Sequence, residues 1–304
     1  MSEIKTNGIQ AWLLASRPKT LAAAATPVII GCAAAYQAGT FQLIPALICL
    51  LFALLMQIAA NLINDLIDFE KGTDGEERLG PLRATAQGWI TPKAMKTGIA
   101  IVCGTACAIG LCILFYTTWH LILVGLACVV FAYFYTSGPY PLSYNGWGDV
   151  AVVVFFGLVP TCMTYYVQTA SVDPHVIWHS IAVGLVVNGL LVVNNYRDRD
   201  TDKNSGKKTL IVKLGEAFGR YFYLVQGLIA AVVTIIAYLS NPNQATPLYG
   251  GLFLLIYVAA HISTWKKLST IRRGKELNKL IGETSRNMLV YSILVSISLL
   301  IYCK

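Results

Sequence analysis

The sequence predicts an all-α integral membrane protein: nine transmembrane helices around a central site, with the N-terminus in the cytoplasm and the C-terminus outside. Three observations carry this. Hydrophobic residues make up 56% of the chain and charged residues 12%, with a mean hydropathy of +0.61; ordinary soluble domains carry roughly 25% charged residues. Apolar runs of about 20 residues recur from end to end, each long enough to cross about 30 Å of hydrocarbon. Lys and Arg gather on alternate connections between those runs, which sets the orientation.

The runs lie at 20–38, 43–66, 95–116, 119–136, 150–169, 176–197, 219–239, 247–265 and 287–303. Helices are expected, because backbone groups in lipid must be satisfied within their own segment, and the runs are too long for barrel strands. The first run is too long, and followed by too many others, to be a cleaved signal peptide. With the N-terminus inside, segments 1–19, 67–94, 137–149, 198–218 and 266–286, with the span ends beside them, hold every one of the 23 Lys and Arg except Lys304. The connections around Gly39, Thr118, Val172 and Asn241 hold none. The formal charge of +8 therefore marks topology and contact with the lipid bilayer or an anionic substrate. It does not indicate nucleic acid, since no basic patch is interleaved with exposed aromatics. The eight Cys lie in apolar runs with no C-x-x-C pair and are expected to be reduced packing residues.

From the N-terminus, Met1 to Thr20 reads as a short interfacial helix with Trp12, Leu13 and Leu14 on its apolar side. Arg17 and Lys19 are surface anchors or contacts to an anionic headgroup. The second run ends in an acidic stretch, Asn61 to Asp74, followed by a long charged loop to Pro92, a length that is usually functional or disordered. The third and fourth runs form a hairpin. The aromatic and turn-rich stretch Tyr133 to Asp149 is either an interfacial belt or one wall of a site. Asp149 is a helix N-cap, a base or a substrate contact. The basic connection from Trp265 to Arg286 is expected at the membrane surface.

A second acidic stretch, Asn194 to Asp202, closes the sixth run. Charge here is expensive, roughly 2.5–3.5 kcal/mol per carboxylate near a bilayer core. Asn61, Asp65 and Asp68 share one helical stripe, and so do Asn194, Asp198 and Asp202. Asn61-x-x-x-Asp65 matches Asn194-x-x-x-Asp198 at an offset of 133 residues, with Gly72 and Gly206 following. This suggests a single domain over 1–304 built of two related halves, about 20–136 and 150–303, meeting at one site. Carboxylate and amide oxygens without Cys or His are hard ligands suited to Mg²⁺. Lys and Arg in the same loops would contact phosphate oxygens, and an aromatic wall could stabilise an allylic cation. The residues together point to a Mg²⁺-dependent transferase acting on a polyprenyl diphosphate. A cation-coupled transporter would instead place its acids near the bilayer midplane.

At these residues the chain resembles the intramembrane aromatic prenyltransferases of the UbiA superfamily, whose motifs are N-D-x-x-D and D-x-x-x-D. Here they are Asn64-Asp65-x-x-Asp68 and Asp198-x-x-x-Asp202. Arg17-Pro18-x-Thr20 fits as well, so the resemblance covers essentially the whole chain. Gly80-Pro81-Leu82-Arg83, Asn194-Asn195-x-Arg197-Asp198 and Gly206-Lys207-x-Thr209-Leu210 are most similar to the branch acting on 1,4-dihydroxy-2-naphthoate in menaquinone synthesis. Many relatives carry a third Asp in the first motif where this chain has Gly72; here Asp74 follows two residues later, which suits that branch. The resemblance implies Asp65 and Asp68 on one Mg²⁺ and Asp198 and Asp202 on another, assisted by Asn61 and Asn194. It makes Lys71, Arg78, Arg83, Arg197 and Lys207 candidates for diphosphate contact, Arg83 and Lys207 first. It puts Tyr135, Thr136 and Tyr140 at the prenyl or aromatic pocket. Other acceptors of the family, such as 4-hydroxybenzoate or homogentisate, are the alternatives. The expected place is a cell membrane, with the site toward the cytoplasm.

Overall fold

The computed structural model describes residues 4–72, 79–243 and 247–301, apart from the side chains of 247–249. A short helix α1 (Ile9–Ser16) precedes the bundle. A helix then stands at each of the nine expected positions: α2 (Pro18–Gln37), α3 (Leu43–Glu70), α4 (Pro92–Leu111) with a 3-10 turn (Cys112–Phe115), and α5 (Leu121–Thr136). After the single turn α6 (Leu142–Asn145) come α7 (Gly148–Val153), continued through a π segment (Val154–Leu158) into α8 (Val159–Thr169), then α9 (Pro174–Asn204), α10 (Leu210–Ser240), α11 (Pro247–Ile271) and α12 (Leu277–Ile301). The described residues contain no strand.

Among the described residues, seven of these helices are long and apolar enough to cross a membrane. The expectation of nine is therefore met in part. The fourth position holds α5, whose 16 residues reach only about 24 Å at 1.5 Å per residue, and the eighth holds α11. Several helices outrun their apolar stretches. α3 continues to Glu70 and α9 to Asn204, while α10 begins at Leu210 and α12 at Leu277. Apolar patterning ends where the charges begin, but Asp, Asn, Lys and Arg do not break a helix, so the backbone ladder carries on. Local signals still set several starts. Thr91 caps α4 by accepting from the Ala94 N–H at 3.3 Å, with Pro92 at the first helical position. Thr209 caps α10 in the same way through Val212.

Burial is greatest along α9, which packs on α10, α12, α7 and the π segment, and its Val183, Val186, Val187 and Leu190 enter the main core. α12 closes onto α2, and α3 packs on α2, α4 and α5. Helix α1 packs on the bundle through its alanines and Trp12. Ala11 and Ala15 are buried, with Trp12 against Leu62, Leu66, Ile90 and Met95, whereas Leu13 and Leu14 are exposed. Two alanines one turn apart allow a close approach to α3 that leucines there would block.

The π segment lets α7 and α8 lie close along α9. A Cβ built on Gly157 would stand 2.5 Å from both the Gly184 Cα and the Ser180 carbonyl oxygen. Both are backbone atoms and cannot move aside cheaply. Gly157→Ala should therefore lower the thermal stability of the detergent-solubilised protein by roughly 1–3 kcal/mol, the usual cost of overpacking. Gly282→Ala is the matched control, because nothing lies within 4 Å of its built Cβ. In helix α12 that change should be neutral or stabilise by about 0.5–1 kcal/mol. Equal melting shifts in the two variants would refute the packing argument.

Candidate active site

Helices α2, α3, α4, α5, α7, α8 and α9 enclose a cavity of about 510 Å³. Along α3 its lining runs from Ile48 to Asn64, about 24 Å of helix. Most of the wall is apolar, with Phe131 and Phe155 stacked at 3.6 Å between ring centroids. Polar lining collects at the Lys- and Arg-rich end: Arg17, Thr20, Gln57, Asn61, Asn64, Tyr135 and Asn194. Arg17 is the one basic residue among the described residues of the lining, and its backbone is left-handed (φ 52) where α1 meets α2. Asp68 and Asp198 follow Asn64 and Asn194 by one helical turn, so the acids stand just beyond the polar mouth.

The four polar residues of the first motif each meet a different neighbour. Asn61 donates to the Ser16 carbonyl at 2.9 Å and the Thr20 hydroxyl at 3.1 Å, fastening the α1–α2 junction. Asn64 accepts from the Thr136 hydroxyl. Asp65 is 1% exposed and accepts the backbone N–H groups of Ala84 and Thr85 at 2.9 and 3.0 Å. Asp68 receives Arg83 at 2.6 Å and the Tyr144 hydroxyl at 3.2 Å. The two acids that the resemblance puts on one metal have different neighbours here: both Asp65 oxygens accept from the loop after α3, and Asp68 receives Arg83 and Tyr144. Asn61 likewise serves the α1–α2 junction. Three residues further on, Asn64 and Asp68 keep the same N-x-x-x-D spacing.

In the second motif Arg197, 3% exposed, holds Asp198 through two bonds of 2.7 and 2.5 Å. Its remaining Nη1 donates to Asn278 at 2.8 Å, and Asn278 donates in turn to the Leu79 carbonyl, so α12 ties both motifs' flanks together. Lys207 lies 3.7 Å from Asp202. Lys207 also lies beside the ring of Tyr144, whose hydroxyl donates to Asp68, which brings the two motifs to one place. Asp200 points away, largely exposed, with Arg273 at 3.8 Å. Both motif helices end alike: Gly72 after α3 and Gly206 after α9 take left-handed backbone (φ 66 and 77), the usual helix stop.

Tyr144, absent from the expected site residues, joins the halves. Its hydroxyl reaches Asp68 from α6, and Lys71 and Lys207 lie 4.2 and 4.7 Å from its ring centroid. It falls in the stretch Tyr133 to Asp149 read as a belt or a wall of the site, and the sequence did not single it out from the other aromatics there. Lys71 also donates to the Thr136 carbonyl at 2.8 Å. Loss of water holds its ammonium below the ordinary range; Asp68 opposes that fall and Lys207 adds to it. Of the other expected residues, Tyr135 lines the cavity, Tyr140 is 57% exposed and stays outside it, and Arg78 and Asp74 lie outside the described residues. Asp149 is buried and accepts from Asn188 at 3.1 Å.

Residues 24–279 match the UbiA prenyltransferase family. The chain belongs to that family. It is 37% identical over 264 residues to the 1,4-dihydroxy-2-naphthoate octaprenyltransferase of Escherichia coli K12, covering 84% of each chain. To the enzyme of the same name from Haemophilus influenzae it is 33% identical over 309 residues, covering 96% of each. Among solved structures, a UbiA homolog from Archaeoglobus fulgidus bound to GPP and Mg²⁺ superposes with a TM-score of 0.68 at 14% identity, over 94% of this chain and 99% of that one. As a UbiA prenyltransferase this chain is an enzyme and a multi-pass membrane protein.

The donors at the mouth of this UbiA-family cavity suit a divalent cation. Asp68, Asp198 and Asp202 offer only oxygen, the hard set that Mg²⁺ prefers. Among the described residues no three acidic, His or Cys side chains form a ready-made cluster. The fit is therefore to an ion that completes its shell with water and phosphate.

The division of labour along α3 is testable. Asp65→Asn leaves one acceptor for two buried amides and should lower thermal stability by about 1.5–3 kcal/mol, the worth of a bond to a charged group. Asp200→Asn breaks only an exposed pair and should shift it by less than about 1 kcal/mol. A melting curve for Asp65→Asn that overlays the wild type would return Asp65 to the cavity.

Proposed function

We propose that the enzyme transfers a polyprenyl group from its diphosphate to 1,4-dihydroxy-2-naphthoate, using Mg²⁺, with loss of CO₂ and diphosphate to give the reduced, quinol form of a demethylmenaquinone. The observation that carries this is the meeting of the two acidic motifs at Tyr144, which binds Asp68 and carries Lys207, the partner of Asp202, at the mouth of a long apolar cavity. Such a mouth suits a diphosphate and such a cavity suits an isoprenoid tail. The acceptor rests on the relatives, whose names specify 1,4-dihydroxy-2-naphthoate in Escherichia coli, Haemophilus influenzae and Mycobacterium tuberculosis.

In this reading Asp68, Asp198 and Asp202 hold the metal, which when bound supplies positive charge to the departing diphosphate. Arg83, Arg197, Lys71 and Lys207 turn toward phosphate oxygens. Each of the three acids already has its own cation, so the site is close to neutral before substrate arrives. The ring carbon bearing the acceptor's carboxylate forms the new C–C bond. The allylic C–O bond breaks with its electron pair going to diphosphate, and departing CO₂ leaves its bonding pair to restore the aromatic ring. Phe131, Phe155 and Tyr135 present π faces along the path of the allylic cation. Arg17, the basic residue of the lining, is the partner for the acceptor's carboxylate until CO₂ leaves. Asp65 and Asn61 serve as braces, one for the loop carrying Arg83 and the other for the junction carrying Arg17.

The same reading keeps one domain of two related halves, supported by the matching Asn-x-x-x-Asp stripes and the glycine stops after α3 and α9. It keeps nine spans and a cytoplasmic site in the cell membrane, supported by the Lys and Arg distribution.

The test is direct. Purified protein with Mg²⁺, a prenyl diphosphate and 1,4-dihydroxy-2-naphthoate should yield the prenylated, decarboxylated product by mass spectrometry, and a chelator should abolish it. Asp198→Asn and Asp202→Asn should each lower kcat/KM about 100-fold, consistent with loss of several kcal/mol of charge stabilisation. Product from 4-hydroxybenzoate and none from dihydroxynaphthoate would replace the acceptor. Near-normal turnover in both variants would end the metal assignment.

A further inference from the structure

A single aromatic ring touches both halves of the site. Tyr144 sits on α6, and α6 is pinned at several points. The Lys208 N–H donates to the Tyr144 carbonyl at 2.7 Å, Lys213 Nζ donates to the Asn145 carbonyl at 2.9 Å, and the Ser143 hydroxyl donates to the Tyr135 carbonyl at 2.7 Å. The ring is therefore fixed relative to the loop after α9 and to α5. Its hydroxyl, bound to Asp68, fixes it to α3 as well. Onto this ring come two ammonium groups from opposite halves of the chain, Lys71 at 4.2 Å and Lys207 at 4.7 Å. Both distances are well inside the reach of a cation–π attraction.

Two like charges gathered on one ring repel each other, and the arrangement is useful only if an anion is to be shared between them. The neighbouring acids do not fully occupy them: Lys207 is 3.7 Å from Asp202, and Lys71 makes its close hydrogen bond to a neutral carbonyl. A diphosphate group, with several oxygens carrying charge over two linked phosphorus centres, is a ligand that both ammonium groups can bind at once. The ring contributes what a flexible lysine lacks, a fixed position beside which both ammonium groups rest.

We infer that Tyr144 is a positioning residue: its ring gathers Lys71 and Lys207 into one cationic pair that grips the diphosphate of the prenyl donor. This rests on the prenyl-transfer reading above. The hydroxyl is secondary, since it only steadies the ring against Asp68.

Steady-state kinetics on the full-length protein in detergent or liposomes separates ring from hydroxyl. Tyr144→Leu removes both lysine contacts, and the KM for prenyl diphosphate should rise about 10-fold. Its kcat and the acceptor KM should stay close to wild type. Tyr144→Phe and Tyr144→Trp keep a π face, so both should hold the donor KM within about 3-fold of wild type. A Phe variant as impaired as Leu would overturn the inference in favour of the hydroxyl. A Leu variant with an unchanged donor KM, or with a raised acceptor KM, would overturn it as well. Should Tyr144→Leu fail to fold, Lys71→Met and Lys207→Met decide: each must raise the donor KM alone, and no change in either refutes the paired grip. Wild-type protein that does not consume prenyl diphosphate at all would instead sink the underlying reading.

Discussion

Carboxylates at the end of an apolar helix need partners, because an unpaired charge near hydrocarbon is among the costliest features a fold can carry. In this protein each acid facing the cavity mouth has a cation drawn from its own neighbourhood: Arg83 for Asp68, Arg197 for Asp198 and Lys207 for Asp202. Much of the surrounding structure follows from this pairing. The loop after α3 must return far enough to deliver Arg83, and Asp65 holds it there by its backbone. Helix α12 must begin early enough for Asn278 to steady Arg197. Because the balance is struck inside the protein, the site can stand open to an apolar cavity without collapsing.

The pairing also explains why polar residues crowd α3 over barely two turns. Asn61, Asn64, Asp65 and Asp68 are all buried or half-buried, yet they point to different neighbours: the α1–α2 junction, Thr136, the 84–85 backbone and the second motif. A helix presents a new face every residue, so a cluster dense in sequence becomes a hub in space. Two of the four are braces for Arg17 and Arg83, and the site is held together as much by these as by the groups at its mouth.

Much of the architecture was legible in the chain itself. Helix positions followed from the apolar runs, and Asp200, which falls off the Asn194–Asp198–Asp202 stripe, is exposed beside Arg273. The helix ends were not legible, since α9 and α12 run on through charged residues that hydropathy counts as loop. The side of α1 that packs on the bundle was not legible either, because two alanines carry little hydrophobic signal yet allow close packing. Asp65 was the subtler case. Its spacing puts it on a stripe with Asp68, but the backbone amides that claim it come from residues 19 and 20 positions further along the chain. Periodicity does not specify which neighbour a helix face meets.

What the sequence determined by itself is the class of protein and the chemical repertoire: long apolar helices and two Asn- and Asp-bearing stripes with basic residues after them. These are local properties, set by composition, by spacing along one helix and by the need of lipid-embedded backbone to bond within its segment. Only the tertiary structure decided which carboxylate faces the cavity mouth, that α12 supports Arg197, and that Tyr144 stands between the halves. Those outcomes depend on contacts between residues far apart in the chain, and a single sequence holds no signal for them until packing has chosen the neighbours.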